Sequence, residues 1–223
     1  AAGITGVAAV IGDGSAYSGP GMAVGWREGY VTDGNVTPVS ALEVDGGRPV
    51  PGSTGPRTMT PDAAAASAFA AALAAAGVQV GSVGTGPADP AAREVAAVES
   101  PPIRVLVERM LTDSDNDLSE SLGRQVAIAR GLPATFEGAA QGVLAALAEL
   151  GIPTDGAVLH DTSGLSIENR ISPAALVAVL RTAVLPGHPE LRAVLTGLPV
   201  AGFTGTLGTR YGSADTSAGA GEI

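Results

Sequence analysis

Val107-Glu108-Arg109-Met110-Leu111-Thr112-Asp113-Ser114-Asp115-Asn116-Asp117-Leu118-Ser119-Glu120 is the stretch that decides how this chain folds. Ile103, Leu106, Val107 and Met110 fall on one face at helical spacing, so a helix leads into it. A second helix is expected from Asp117 to Arg130, stopped by Gly131. Ser114-Asp115-Asn116 then sits on a loop between two helices and points polar side chains into one place. Taken alone the tripeptide is also an ordinary polar turn, for which Ser, Asp and Asn are common residues.

The helical pattern continues outward. Upstream, Ser100 is expected to cap a helix from Pro101 to about Leu111. Downstream, Thr135 caps Phe136 to Leu150, and Gly151 stops it. Val158-Leu159-His160 reads as a short strand before the loop Asp161-Thr162-Ser163-Gly164. Ser172-Pro173 starts a helix to about Leu185, and Pro189 starts another to Leu195. The tail after Gly212 is rich in Gly, Ser and Ala and is expected to be mobile.

Toward the N-terminus the pattern changes to strands and turns. Gly6 to Ile11 and Val36 to Val44 read as strands, with Pro38 marking an edge or early position in the second. Arg48 to Pro56 reads as a connection. Thr60-Pro61-Asp62 opens a helix with a capping hydroxyl, running to about Ala76 with Gly77 as its stop, and Val78 to Val83 is a further strand. Ala1-Ala2-Gly3-Ile4 before Gly6-Val7 echoes Ala75-Ala76-Gly77-Val78 before Val80-Gly81. Either the chain opens in the last turn of a helix, or the echo is coincidence in an Ala/Gly-rich sequence. The expected architecture is α+β, with a β-rich part over 1–99 and a helical part over 100–223.

Composition narrows the function. Apolar residues make up 45% of 223, enough for a core, but aromatics are only 3%, so Ala, Val, Leu and Ile must build it. Twelve basic against 22 acidic residues give a net charge of −10, which excludes nucleic acid and an anionic membrane surface as partners. The chain has no cysteine, which removes disulfides, thiolate catalysis and zinc–thiolate sites. No apolar run approaches the roughly 20 residues that span a bilayer. Ala1-Ala2-Gly3 shows no leader-like charge or core, so an exported protein would carry its leader upstream. All 12 basic residues are arginine; lysine is absent.

The helix ending in Met110-Leu111, then Ser114-Asp115-Asn116 and a helix with an early acidic residue, resembles the second motif region of the class C low-molecular-mass penicillin-binding proteins. These are D-alanyl-D-alanine carboxypeptidases and endopeptidases of the serine type. Ser100-Pro101-Pro102-Ile103 is similar to the family's entry into that first helix. Asp161-Thr162-Ser163-Gly164-Leu165-Ser166, with Asn169 and Ser172, resembles its Asp-Gly-Ser-Gly-Leu-Ser segment, with Thr162 in place of glycine. Leu198 to Gly202 with Gly205-Thr206-Leu207 and Arg210 resembles the stretch before its third motif. Gly19-Pro20-Gly21, Gly25-Trp26 and Pro38 to Leu42 resemble its inserted-domain sequence. The ordered set covers most of the chain and is far more specific than any one piece.

The resemblance implies a penicillin-binding-like helical portion beside a β-containing inserted domain, and an acyl-serine mechanism on peptidoglycan stem peptides without metal or cofactor. A serine hydroxyl is a weak nucleophile that needs a nearby base, supplied in the family by the lysine of Ser-x-x-Lys. By carry-over Ser114 relays protons between that lysine and the leaving amine. Asn116 holds the lysine and a substrate carbonyl, and so is both catalytic and substrate-binding. Asp115 holds the less demanding middle position. Lys-Thr-Gly on a sheet edge would receive the terminal carboxylate, with β-lactam antibiotics as ligands of the full-length enzyme and an extracytoplasmic location.

Both Ser-x-x-Lys and Lys-Thr-Gly need lysine, so this chain contains neither. Phe203-Thr204-Gly205-Thr206-Leu207 imitates the third motif without its cation. His160 near Asp161 and Ser163 imitates a triad by composition, but neighbours in one loop rarely converge, and His188 before Pro189 reads as a helix cap. Two isolated histidines make no metal site. The economical reading is the inactive middle of a longer enzyme, with part of its core exposed and a tendency to self-associate. The alternative is a non-catalytic homologue that binds cell-wall peptide or a protein partner.

Overall fold

The apolar run Gly6–Gly12 (β1) and the mixed stretch Gln79–Thr85 (β2) pair in parallel with Val7 beside Val80 and Val10 beside Val83. Parallel neighbours need a crossover, and helix α1, Pro61–Ala75, packs on both strands to supply it. This is a computed structural model that describes residues 3–213 and 216–221. Val10, Ala66 and Ala70 form the core of this layer, with Val7, Leu73 and Val80 packed around them. Alanine allows the helix to lie close. So does Gly12, where a Cβ would press within 2.9 Å of the Asp62 carbonyl oxygen. Pro61 occupies the first turn, but the Thr60 hydroxyl makes no capping bond; the Asp62 carboxylate instead accepts from the Ala63 N–H at 2.8 Å.

Gly77, at φ +84°, ends α1 in the left-handed region that glycine tolerates. Gly3 has φ +66°, the matching conformation at the matching place in the echo. The expected helical turn at Ala1-Ala2 lies outside the described residues, as do 214, 215, 222 and 223 of the expected mobile tail.

The strand expected over Val36 to Val44 is absent: this segment is bends and turns. The Thr37 N–H goes to the Asp117 carboxylate at 2.7 Å, Pro38 has no N–H, and the Leu42 N–H goes to the Ser40 hydroxyl at 3.3 Å. A side-chain acceptor from a distant helix has taken the bond that a neighbouring strand would need. Much of 14–58 is likewise irregular and is anchored to the helical half, through Tyr17 on the Ser121 carbonyl and Tyr30 on the Leu165 carbonyl.

The helical half comprises α2 (Ile103–Asp113), α3 (Asn116–Ala129), α4 (Phe136–Glu149), α5 (Pro173–Val184) and the short α6 (Ala193–Thr196). α2 starts two residues later than expected, and Ser100 does not cap it. Pro102 holds the residue before it extended, so Pro101 cannot join the helix. Thr135 and Ser172 cap α4 and α5 as the sequence indicates, accepting from Gly138 and Ala175. The strand expected at Val158 is one antiparallel bridge to Arg170, and the helix expected from Pro189 opens as a 3-10 turn, Pro189–Arg192, before α6. Arg130 closes the α3–α4 hairpin with two bonds to Glu149, at 2.9 and 2.6 Å.

Candidate active site

The junction of α2 and α3 places the Ser114 motif by using each residue differently. Ser114 ends α2 in the left-handed region, at φ 54° and ψ 48°. That conformation strains a serine by about 1–3 kcal/mol and turns the chain sharply enough for α3 to start two residues later. Asp115 is the N-cap of α3: its carboxylate accepts from the Leu118 N–H at 3.0 Å, and Arg109 lies 3.8 Å away. Its role is to start the helix that carries Asn116, a signal that an Asp three residues before the apolar Leu118 already carries.

Ser114 and Asn116 face a hollow of about 220 Å³ lined also by Met110, Leu111, Ser119, Thr162 and Ser163. On the other side of the same ridge lies a polar hollow of about 560 Å³, where Arg48, Arg109 and Thr206 join them. Ser114 is exposed and its hydroxyl has no hydrogen-bond partner among the described residues. The Asn116 amide donates one hydrogen to the Asn35 carbonyl at 2.9 Å, which ties the motif to the 14–58 segment. Sequence reasoning missed Ser119, Thr162 and Thr206, whose small hydroxyl side chains carry no distinctive pattern.

Beneath the junction lies a layer of buried charge. Glu120 is fully buried and accepts from the Thr162 and Ser163 N–H groups at 3.0 and 2.7 Å and from the Thr162 hydroxyl at 3.1 Å. Burial pushes its carboxyl above the usual range, and the bonds from Ser163 and Thr162 pull it back. The Ser119 hydroxyl donates to the Thr162 carbonyl at 2.6 Å, so α3 and the loop are sewn together twice. Thr162, where the family has glycine, fits because α3 has Gly123 opposite; a Cβ there would meet the Thr162 hydroxyl at 2.5 Å.

Asp161 is buried and accepts from Trp26 Nε1 at 2.7 Å, Ser166 N–H at 2.6 Å, Asn169 Nδ2 at 2.6 Å and Gly164 N–H at 3.1 Å. It is a loop anchor. His160 turns its ring toward Glu168, 3.9 Å away, so His160, Asp161 and Ser163 form no triad. His188 precedes the 3-10 turn as its N-cap residue and bonds Glu190 at 3.1 Å. No group of three or more metal-ligating side chains occurs among the described residues.

Asp117 accepts from the Thr37 N–H and pairs with Arg57 at 3.1 Å, both side chains almost wholly buried. Burial raises Asp117 to about 6, against the pull of Thr37 and Arg57. Half-buried Glu43 is raised to about 7, first by burial and then by the charges of Asp117 and Asp115. The imitation motif at Phe203 is a 3-10 turn rather than a sheet edge, with Phe203 exposed. Gly205, at φ +57°, sits so close to the Thr112 carbonyl that a Cβ would collide with it, which seats Thr206 beside the Ser114 ridge.

The family model described as D-Ala-D-Ala carboxypeptidase 3 (S13) matches residues 50–222. The chain belongs to this family. Among S13 relatives, carboxypeptidase DacB of Mycolicibacterium smegmatis is 41% identical over 208 residues and carboxypeptidase Rv3627c of Mycobacterium tuberculosis 38% over 207. Each match covers 93% of this chain and 44% of the relative, so the chain spans less than half the length of these curated relatives. The crystal structure of penicillin binding protein 4 from Haemophilus influenzae superposes with a TM-score of 0.73 at 21% identity, over 94% of this chain and 60% of that one. A second structure of that protein, complexed with a β-lactam, gives 0.57 at 27% identity over 68% and 35%. The α+β fold expected from the sequence is therefore the fold it shares with that penicillin binding protein.

Proposed function

We propose that the whole protein is a serine D-alanyl-D-alanine carboxypeptidase that trims peptidoglycan stem peptides on the cell-wall side of the membrane, and that this chain supplies one wall of its active site. Ser114 passes a proton between the catalytic base and the leaving amine, while Asn116 orients the base and a substrate carbonyl. The observation that carries this reading is the Ser114 hydroxyl, unpartnered among the described residues and held beside Asn116 at the mouth of a 220 Å³ hollow by a left-handed turn. An exposed hydroxyl on a rigid junction can accept and return a proton without breaking a bond to its own protein.

The carboxypeptidase names of the mycobacterial relatives support the activity, and the β-lactam complex of the H. influenzae protein supports β-lactams as ligands. The test is labelling of the whole protein with a fluorescent penicillin. Ser114→Ala is expected to slow acylation by about 100-fold, the lower end for loss of a positioned proton-transfer group. Unchanged labelling in that variant would overturn the role of Ser114. Absence of any adduct on the wild-type whole protein would overturn the enzyme and leave a cell-wall peptide-binding homologue. The 223-residue chain alone, without lysine, is expected to form no adduct.

Self-association is proposed through α5, where Leu176, Val177, Leu180 and Val184 are 51, 56, 42 and 63% exposed. Sedimentation velocity is expected to show a concentration-dependent dimer of the chain that the double change Leu176→Gln/Leu180→Gln abolishes. A wild-type monomer at all concentrations would refute it.

A further inference from the structure

A hollow of about 390 Å³ lies between the β1–α1–β2 layer and the helical half, and it shares no lining residue with the two hollows beside Ser114. That volume is at the small end of ligand sites, which run from about 300 to 1,000 Å³. Three charged side chains line it: Asp13, Asp62 and Arg124.

Arg124 is the unusual one. Its side chain is only 1% exposed, yet Nε and Nη1 have no hydrogen-bond partner among the described residues. The nearest carboxylate, Glu120, is 3.9 Å from Nη1 and is already engaged by Thr162 and Ser163. The Phe136 ring covers one face of the guanidinium at 4.0 Å, so only the edge with its N–H groups is left for a partner. A buried donor without an acceptor is unfavourable, and an acceptor bound against Arg124 would relieve it. A planar carboxylate is the group that matches a guanidinium edge.

The rest of the hollow argues against a simple anion. Asp13 is held ionised by the Ser15 and Ala88 N–H groups, at 2.8 Å each, and Asp62 stands at the first turn of α1. Two carboxylates against one guanidinium would repel a bare anion but welcome a cation attached to it. Gly14 keeps the space between them open, since a Cβ there would press on the Ser40 hydroxyl at 2.8 Å.

We propose that this hollow binds a zwitterionic amino acid or dipeptide, its carboxylate on Arg124 and its ammonium toward Asp13 and Asp62. The proposal does not depend on the role given to Ser114. Calorimetric titration of the whole chain with glycylglycine, N-acetylglycylglycine and glycylglycine amide tests it. Saturable binding of glycylglycine is expected, weakened about tenfold or more by blocking either end. Asp62→Asn, at the half-buried first turn of α1, should weaken glycylglycine to a similar degree without weakening the N-acetyl form. No saturation by glycylglycine, equal binding of the blocked forms, or an Asp62→Asn variant with wild-type affinity would each overturn the assignment. Penicillin labelling unchanged in Asp62→Asn keeps this result separate from the proton-relay reading.

Discussion

Glu120→Ala is expected to cost about 3–5 kcal/mol of folding stability, seen as a lower urea midpoint at an unchanged slope. The carboxylate is fully buried and serves three donors from the Asp161–Ser166 loop while facing Arg124. Alanine would leave the Thr162 and Ser163 N–H groups without an acceptor, and Arg124 without its counter-charge, while the Thr162 hydroxyl keeps the Ser119 carbonyl at 3.0 Å. Each lost acceptor alone costs about 1–3 kcal/mol, and a guanidinium left unpaired adds to that. Against a typical total of about 5–15 kcal/mol the loss would be severe. Glu120→Gln keeps one carbonyl for the N–H groups and should lose less. Equal losses in the two variants, or an alanine variant within 1 kcal/mol of wild type, would show that the loop does not depend on this carboxylate. The functional consequence follows from the hollow beside Ser114, two of whose lining residues, Thr162 and Ser163, are held by Glu120.

The helical half was largely legible because its signals are local. Thr135 and Ser172 cap, Gly131 and Gly151 stop, and the apolar residues recur at helical spacing, all within a few residues of one another. The Ser114 junction was legible for the same reason, though its turn is made by a serine in a conformation usually left to glycine. What failed depends on partners far along the chain. Val36 to Val44 has apolar residues and a proline that suit an edge strand, but Asp117, 80 residues away, captures the Thr37 N–H. Glu120 and Arg124, four apart on a helix, look like a solvated surface pair, since spacing alone says nothing about burial. Trp26 and Asp161 meet across 135 residues, a contact no window of sequence contains. The polar interior that holds the site is therefore built from residues whose individual signals point to the surface.

Arg57→Ala is expected to remove about 3–5 kcal/mol at pH 8 and much less at pH 5. Arg57 pairs with Asp117 at 3.1 Å and also donates to the Gly34 carbonyl at 2.9 Å and to the Gly46 carbonyl. Without it Asp117 is a buried carboxylate facing Glu43 and Asp115, both of which resist its ionisation; Arg48 is the remaining cation nearby. Asp117 already sits at about 6 in the folded chain, above its ordinary 3.8, and losing the guanidinium raises it further. A carboxyl raised on folding contributes stability below its unfolded value and loses it as pH climbs through the folded one. The wild type should therefore weaken from about pH 4 to 7 as Asp117 and Glu43 ionise, and the variant should weaken more steeply over the same range and beyond. Lowering the pH lets Asp117 take up a proton and shed the unpaired charge, leaving only the lost hydrogen bonds and packing of Arg57. Urea unfolding of both proteins at pH 5, 6, 7 and 8 reads the difference directly. A loss that stays constant across the range would mean that Asp117 does not change its protonation there, and that Arg57 acts through its two carbonyl contacts alone. Glu43→Gln in the wild-type background separates the two carboxyls: it should remove the upper part of the slope, near pH 7, and leave the part that belongs to Asp117.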